Sequence, residues 1–95
     1  MSKETKPLVA LVMGSASDWP LVEEAVRTLR ELEVDVLVEV ASAHRTPERV
    51  RAVVRKAEEA GAEVIVAAAG YAAHLAGALA AETALPVVAL PLATS

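Results

Sequence analysis

Apolar runs of strand length alternate along this chain with segments whose apolar residues recur at helical spacing. The run LVALVM at residues 8–13 is uninterrupted, as in a strand buried on both faces of a parallel sheet, and EVIVAAAG at residues 63–70 repeats that pattern. Residues 34–40 instead alternate valines with acidic residues such as Glu39. That alternation predicts an edge-like strand with one wetter face. The segment 85–95 supplies a fourth short strand after its proline.

The first helical segment covers residues 19–33. Ser17 or Asp18 is its predicted N-cap, and Pro20 fits its first turn. We expect its buried face to be formed by apolar residues at helical spacing: Leu21, Ala25, Leu29 and Leu32.

The second helix has start and stop signals on both sides. Thr46 offers an N-cap hydroxyl, Pro47 suits the first helical position, and Gly61 ends the segment. Its apolar stripe is predicted to consist of Val50, Val53, Val54 and Ala57. A third, alanine-rich helix is predicted over residues 71–84.

The resulting order is β-α-β-α-β-α-β, which predicts an α/β fold. Alternating strands and helices imply a parallel sheet of about four strands with helices on both faces, a three-layer sandwich of flavodoxin-like or Rossmann-like type. We expect one domain over residues 1–95, with residues 1–7 disordered. Folds of this type usually continue for another strand or two, so the ending PLATS predicts a truncated domain or a partner chain that covers the sheet edge.

Composition narrows the classes of function. Thirteen acidic residues against nine Lys and Arg give a net charge of -4, which argues against a broad nucleic-acid-binding face but not against one local phosphate pocket. No apolar run approaches the ~18 residues of a membrane span. The absence of cysteine and the polar start MSKETKP favour a cytoplasmic protein without disulfides. With no Phe, the core must be closed by many small side chains.

Polar residues that could catalyse a reaction or bind a ligand lie in the loops that follow the predicted strands. In open α/β sheets ligands bind at the carboxyl ends of the strands, and both histidines, His44 and His74, fall in loops at that edge. Two histidines without cysteines or paired carboxylates make a poor metal set, so no metal is predicted. Taken alone, His74 is more suited to supporting a site than to reacting in it.

The turn GSASD at residues 14–18 leads directly into the first helix. Backbone N–H groups at a helix start attract anions, and the hydroxyls of Ser15 and Ser17 add donors, so a phosphate would fit here. Asp18 would repel a phosphate and is assigned to a cap or to sugar hydroxyls. The alternative is an ordinary βα turn with a Ser or Asp cap, and this motif by itself favours that alternative.

The stretch SAHRTP at residues 42–47 sets an imidazole beside a fixed cation at the ligand edge. Arg45 could hold a phosphorylated substrate while His44 transfers protons near neutral pH. The alternative is that Thr46 and Pro47 start a helix and that the pair merely lines the loop. We favour the functional interpretation.

The segments MGSASDWP, VASAHRTPERV and AAGYAAHLAG, taken in order, resemble the signatures of the class I PurE family, the N5-carboxyaminoimidazole ribonucleotide mutases of purine biosynthesis. The resemblance implies a flavodoxin-like fold and a phosphorylated aminoimidazole ribonucleotide as substrate. It also implies an isomerase-type reaction in which a carboxyl group moves from the exocyclic nitrogen to ring carbon four, without metal, nucleotide cofactor or biotin. The resemblance further implies a homo-oligomer.

The resemblance also implies roles for individual residues. His44 would be the general acid/base at the ring carbon, while Ser15, Asp18 and Arg45 would bind ribose and phosphate. Ser17 and Ser42 would shape the pocket. The loop that closes over the carboxylate would comprise Gly70, Ala72, Ala73, His74 and Leu75.

This chain departs from the family pattern at Tyr71, where a glycine is usual, and at Ala76, where a proline is usual. A tyrosine adopts positive φ only at a cost, so Tyr71 predicts local strain or a ring that fills the pocket. Family chains also continue well beyond Ser95, and the second hypothesis is therefore an engineered or truncated scaffold or assembly subunit that does not catalyse. A general phosphate-binding module is a third.

Overall fold

The computed structural model describes residues 6–42 and 47–93. The predicted order of strands and helices is confirmed. The strands are β1 (Leu8–Met13), β2 (Asp35–Val40), β3 (Val64–Ala69) and β4 (Val87–Pro91), and the helices are α1 (Trp19–Glu31), α2 (Pro47–Ala60) and α3 (Ala72–Ala80). A short 3-10 turn, Ala16–Asp18, precedes α1.

The four strands form one parallel sheet in the order β2-β1-β3-β4. Buried residues of α2 and α3 pack together on one face of the sheet, and those of α1 pack on the other. These are the three layers expected of a flavodoxin-like fold, with β2 at an edge as its alternating pattern predicted.

Small side chains fill most of the core. Alanines and valines predominate among the buried residues, and the largest side chains with almost no exposure are Leu11, Ile65 and Leu79. The stripe predicted for α2 is confirmed in full: Val50, Val53, Val54 and Ala57 are all buried.

The buried face predicted for α1 is wrong, because two of its four residues are exposed and the other two are only partly buried. Leu21 is 53% exposed and Leu32 is 67% exposed, whereas Val22 and Val26 are buried against Leu11 on the sheet. The segment carries two overlapping apolar stripes, and a shift of one residue turns a helix by about 100°. The stripe of β-branched valines is the one that packs on the sheet.

The third helix ends at Ala80, short of the predicted residue 84. The Thr83 hydroxyl donates a hydrogen bond to the Glu58 carboxylate at 2.6 Å and accepts one from the Leu85 N–H at 3.1 Å. Because Thr83 bonds to α2 and to its own turn, the backbone leaves the helix before it reaches this residue.

At the other end of the chain, the predicted disorder of residues 1–7 falls largely on residues 1–5, which lie outside the described residues. The Pro7 carbonyl accepts a hydrogen bond from the Asp35 N–H at 2.8 Å and extends the pairing of β1 with β2. Within the described ranges, no helix combines the length and apolarity needed to cross a membrane.

Two glycines offer a matched pair of stability predictions. Gly61 follows α2 with φ of +89°, whereas Gly77 lies inside α3, and an added Cβ meets nothing within 4 Å at either position. We therefore expect Gly61→Ala to lower the free energy of unfolding by about 1 kcal/mol through backbone strain. Gly77→Ala should raise it by about 0.5–1 kcal/mol, since alanine is the better helix former. Urea denaturation of both variants checks this, and equal shifts would contradict it.

Candidate functional site

A cavity of about 480 Å³ opens at the carboxyl ends of β1 and β2. Three segments line it: the turn after β1, the end of β2, and the first turn of α2. The lining residues are Gly14, Ser15, Ala16, Val40, Ala41, Ser42 and Arg49. The cavity thus joins the two motifs, GSASD and SAHRTP, that the sequence singled out.

The turn after β1 is organised by Ser15. Its Oγ accepts a hydrogen bond from the Ser17 N–H at 3.2 Å and lies 2.8 Å from the Ser17 Oγ. Asp18 is the residue that precedes α1, but its side chain makes no capping hydrogen bond. The predicted N-cap position of α1 is confirmed at Asp18, but the capping hydrogen bond comes from Ser15, which serves the 3-10 turn ahead of α1.

Gly14 brings the ends of β1 and β3 together. Its N–H donates to the Ala68 carbonyl at 3.1 Å, and a Cβ added to Gly14 would lie 3.1 Å from the Cβ of Ala69. That spacing is tighter than ordinary van der Waals contact, so any side chain at Gly14 would push the neighbouring strand end away. The loop that begins at Gly70 consequently starts beside the Ser15 turn.

The end of β2 is held against β1. The Ala41 N–H donates to the Met13 carbonyl at 2.8 Å, and Ser42 follows at the cavity wall. His44 and Arg45 fall at positions 43–46, as does the predicted cap Thr46, and all three lie outside the described residues. Their roles stay predictions.

The predicted loop over residues 70–75 does not line this cavity. Ala72 and Leu75 lie on the buried face of α3, while Ala73 and His74 are exposed. Tyr71 has φ of -111°, outside the left-handed region, and is 81% exposed. The expected strain at Tyr71 is wrong, since the backbone here needs no positive φ, and the exposed ring is not among the described residues that line the cavity.

Sequence reasoning missed a cluster of three charged residues, one of which, Arg49, lines the cavity. Glu39 on β2 is only 8% exposed, although its alternating strand predicted a wetter face. Arg49 and Lys56 on α2 cover it, with nitrogens 3.1 and 2.7 Å from its carboxylate oxygens. The available signal was the spacing of the two cations, because residues seven apart lie on the same face of a helix.

Candidate metal sites can be judged only for the described ranges. No group of three or more His, Cys, Asp or Glu side chains at residues 6–42 and 47–93 is placed to hold a metal ion. In those ranges the cavity therefore offers hydroxyls, backbone groups and a guanidinium to a ligand.

The family profile described as AIR carboxylase matches residues 8–95. The chain belongs to the AIR carboxylase family. It is 52% identical to an N5-carboxyaminoimidazole ribonucleotide mutase of Pyrococcus abyssi over 92 residues, which are 97% of this chain and 53% of that protein. The mutase of Mycobacterium tuberculosis is 49% identical over 87 residues, covering 92% and 50% of the two chains. The mutase of Haemophilus influenzae is 47% identical over 95 residues, which are 100% of this chain and 57% of that protein.

The chain thus spans about half the length of these AIR carboxylase relatives. The match includes every segment that lines the cavity, from the turn at Gly14 to the start of α2 at Arg49. The family assignment and the observed sheet order agree with the flavodoxin-like resemblance inferred from the motifs.

Proposed function

We propose that this chain carries the carboxyl-transfer site of an N5-carboxyaminoimidazole ribonucleotide mutase of purine biosynthesis, acting in the cytoplasm. The observation that supports this most is the cavity at the carboxyl ends of β1 and β2. It is built from the GSASD turn and the first residue of SAHRTP, in a chain about half identical to proteins of that name. Its position follows the general rule for ligands of open α/β sheets.

In the proposed reaction the bond between the carboxyl carbon and the exocyclic nitrogen breaks and releases carbon dioxide beside the ring, and that nitrogen takes up a proton. Ring carbon four then attacks the carbon dioxide and forms a C–C bond. The proton on that ring carbon must leave, and we assign its removal to the imidazole of His44, which works near neutral pH. Atoms balance without an oxidant, reductant or cofactor.

The remaining roles follow from the same proposal. Ser15, Asp18 and Arg45 bind the ribose and phosphate, with Asp18 on the ribose hydroxyls because its carboxylate would repel the phosphate. Ser17 and Ser42 shape the pocket. The phosphate belongs at the Ser15 turn, where the backbone leads into a helix start and hydroxyls add donors. The substrate carboxylate is closed over by the loop of Gly70, Ala72, Ala73, His74 and Leu75. Because Ala72 is buried, it would act through its backbone N–H at the start of α3, whereas the Leu75 N–H already donates to the Tyr71 carbonyl at 3.3 Å, so Leu75 would support the loop by packing.

We also propose that a second copy of the chain or another partner chain covers the edge of the sheet at β4. Val88 on this strand is 52% exposed, and an uncovered apolar edge strand favours pairing with another chain. Light scattering tests the proposal of a second copy by measuring the mass in solution. A mass well above the 9.9 kDa of one copy would support it, and a mass of 9.9 kDa would contradict it.

The function is tested by incubating the chain with N5-carboxyaminoimidazole ribonucleotide and separating substrate from product by chromatography, with a protein-free reaction as blank. We expect formation of the ring-carboxylated isomer above the blank. No product above the blank would contradict the proposal and favour the alternative, a scaffold or assembly subunit that folds without catalysing.

A further inference from the structure

A buried carboxylate beside the cavity holds two cations. Glu39 is 8% exposed, its Oε1 lies 3.1 Å from Nη2 of Arg49, and its Oε2 lies 2.7 Å from Nζ of Lys56. One negative charge therefore faces two positive charges, so the cluster carries a net charge of about +1 when all three groups are ionised. A surplus positive charge next to a cavity attracts anions.

Arg49 is the member of this cluster that reaches the cavity wall. Its Nε donates to the Val40 carbonyl at 3.1 Å, and its Nη2 donates to Glu39 at 3.1 Å. Two of the three guanidinium nitrogens are thus engaged on β2, and Nη1 has no hydrogen-bond partner among residues 6–42 and 47–93. The side chain is 50% exposed, so the guanidinium is held in place without being covered.

The surroundings of Arg49 suit a phosphate better than a carboxylate. Arg49 is the one charged side chain among the described residues that line the cavity, and the hydroxyl-bearing residues Ser15 and Ser42 lie on the same wall. A phosphate has three oxygens that can accept at once from Nη1 of Arg49 and from the hydroxyl and backbone donors of the same wall, whereas a carboxylate has only two.

We propose that Arg49 is an anion-binding residue of the cavity, held in position by Glu39 and the Val40 carbonyl, and that its Nη1 binds the phosphate of the ligand. The identity of that ligand rests on the proposed function, but the binding of phosphate does not. Arg49 would then supply a cation in addition to the one expected from Arg45.

The first test is a titration of the chain with inorganic phosphate, followed by the amide NMR shifts of residues 14–17. Arg49→Gln should weaken phosphate binding about tenfold or more, as expected for loss of a charge-assisted hydrogen bond. Arg55→Gln removes the same charge from an exposed position on the same helix and should weaken it less than about twofold, because exposed charges are screened. Equal affinities of the parent and Arg49→Gln, or no phosphate binding by the parent chain, would overturn the proposal.

The role of Glu39 is tested by Glu39→Gln, because net charge and the positioning of Arg49 predict opposite changes in phosphate affinity. Glu39→Gln makes the cluster more positive, so attraction by net charge alone predicts tighter phosphate binding. If Glu39 orients Arg49, the same variant should bind phosphate at least about threefold more weakly, since Arg49 loses its charge-assisted bond to the carboxylate and with it part of its preorganisation. Tighter binding would overturn the positioning part of the proposal.

Should Glu39→Gln fail to fold, Arg49→Lys makes the same distinction. Lysine keeps the charge but cannot donate to Val40 and Glu39 while presenting a further coplanar N–H. We expect at least about threefold weaker phosphate binding, and an unchanged affinity would overturn the argument from geometry.

A second probe separates the phosphate from the carboxylate of the ligand. Binding of imidazole-4-carboxylate should change less than about twofold in Arg49→Gln, and a loss as large as that for phosphate would show that Arg49 binds the carboxylate instead and so contradict the assignment. Phosphate binding that depends on Arg49 in a chain without carboxyl transfer would leave this inference standing while the proposed function fails. If the chain transfers the carboxyl group but Arg49→Gln leaves the phosphate affinity unaltered, this inference fails while the proposed function stands.

Discussion

Replacing His44 with asparagine is expected to lower kcat for carboxyl transfer by a factor of about 10²–10⁴, the usual contribution of a general acid/base. Asparagine keeps a polar side chain of similar reach but cannot take the proton from ring carbon four. The substrate should still bind, because the phosphate and ribose contacts lie on other residues, so KM should change much less than kcat. Steady-state kinetics at saturating substrate measure this directly.

His74→Asn provides the contrast. His74 is exposed in the first turn of α3, outside the described cavity, and is assigned to the loop over the substrate carboxylate. We expect its substitution to raise KM more than it lowers kcat. Unchanged turnover in His44→Asn, with thermal unfolding equal to that of the parent, would contradict the catalytic role of His44.

The largest effect on stability is expected from Leu79→Ala. Leu79 is fully buried and is one of the few large side chains in a core built mainly from alanine and valine. Neighbouring alanines cannot move far enough to fill the space that a leucine vacates, so the loss should lie at about 2–5 kcal/mol of the free energy of unfolding. This is a large part of the ~5–15 kcal/mol that holds a typical domain together.

Leu21→Ala serves as the matched control, since Leu21 is 53% exposed on α1. It removes the same atoms and should cost less than about 0.5 kcal/mol. Urea denaturation monitored by circular dichroism compares the two variants. Equal losses would contradict the packing of α3 described for this fold.

Much of the fold could be predicted because its signals are local. Continuous apolar runs marked β1 and β3, and Pro47 and Gly61 bracketed α2, whose buried stripe was predicted residue by residue. The face of α1 could not be predicted in the same way. Its leucine stripe and its valine stripe are both consistent with a helix, and only packing against Leu11 on the sheet selects the valines.

The part of the site that lies at the carboxyl ends of the strands could be predicted, because ligands of open α/β sheets bind there. Ser15 and Ser42 were assigned to a pocket from that rule and from the family resemblance, and both line the cavity. Arg49 was missed because a charged residue in the first turns of a helix resembles an ordinary solvent-facing position. Arg49 is held by the buried carboxylate of Glu39 on β2. Because this contact joins two different elements, no local sequence pattern predicts it.

The central claim is that this chain moves a carboxyl group within one substrate, and label transfer tests it most directly. N5-carboxyaminoimidazole ribonucleotide carrying ¹³C in its carboxyl group is incubated with the chain in buffer containing excess unlabelled bicarbonate, and the product is observed by ¹³C NMR. The account predicts that the label appears in the carboxyl group on ring carbon four. Absence of product above the protein-free blank, or product whose carboxyl group comes from the unlabelled bicarbonate, would contradict it.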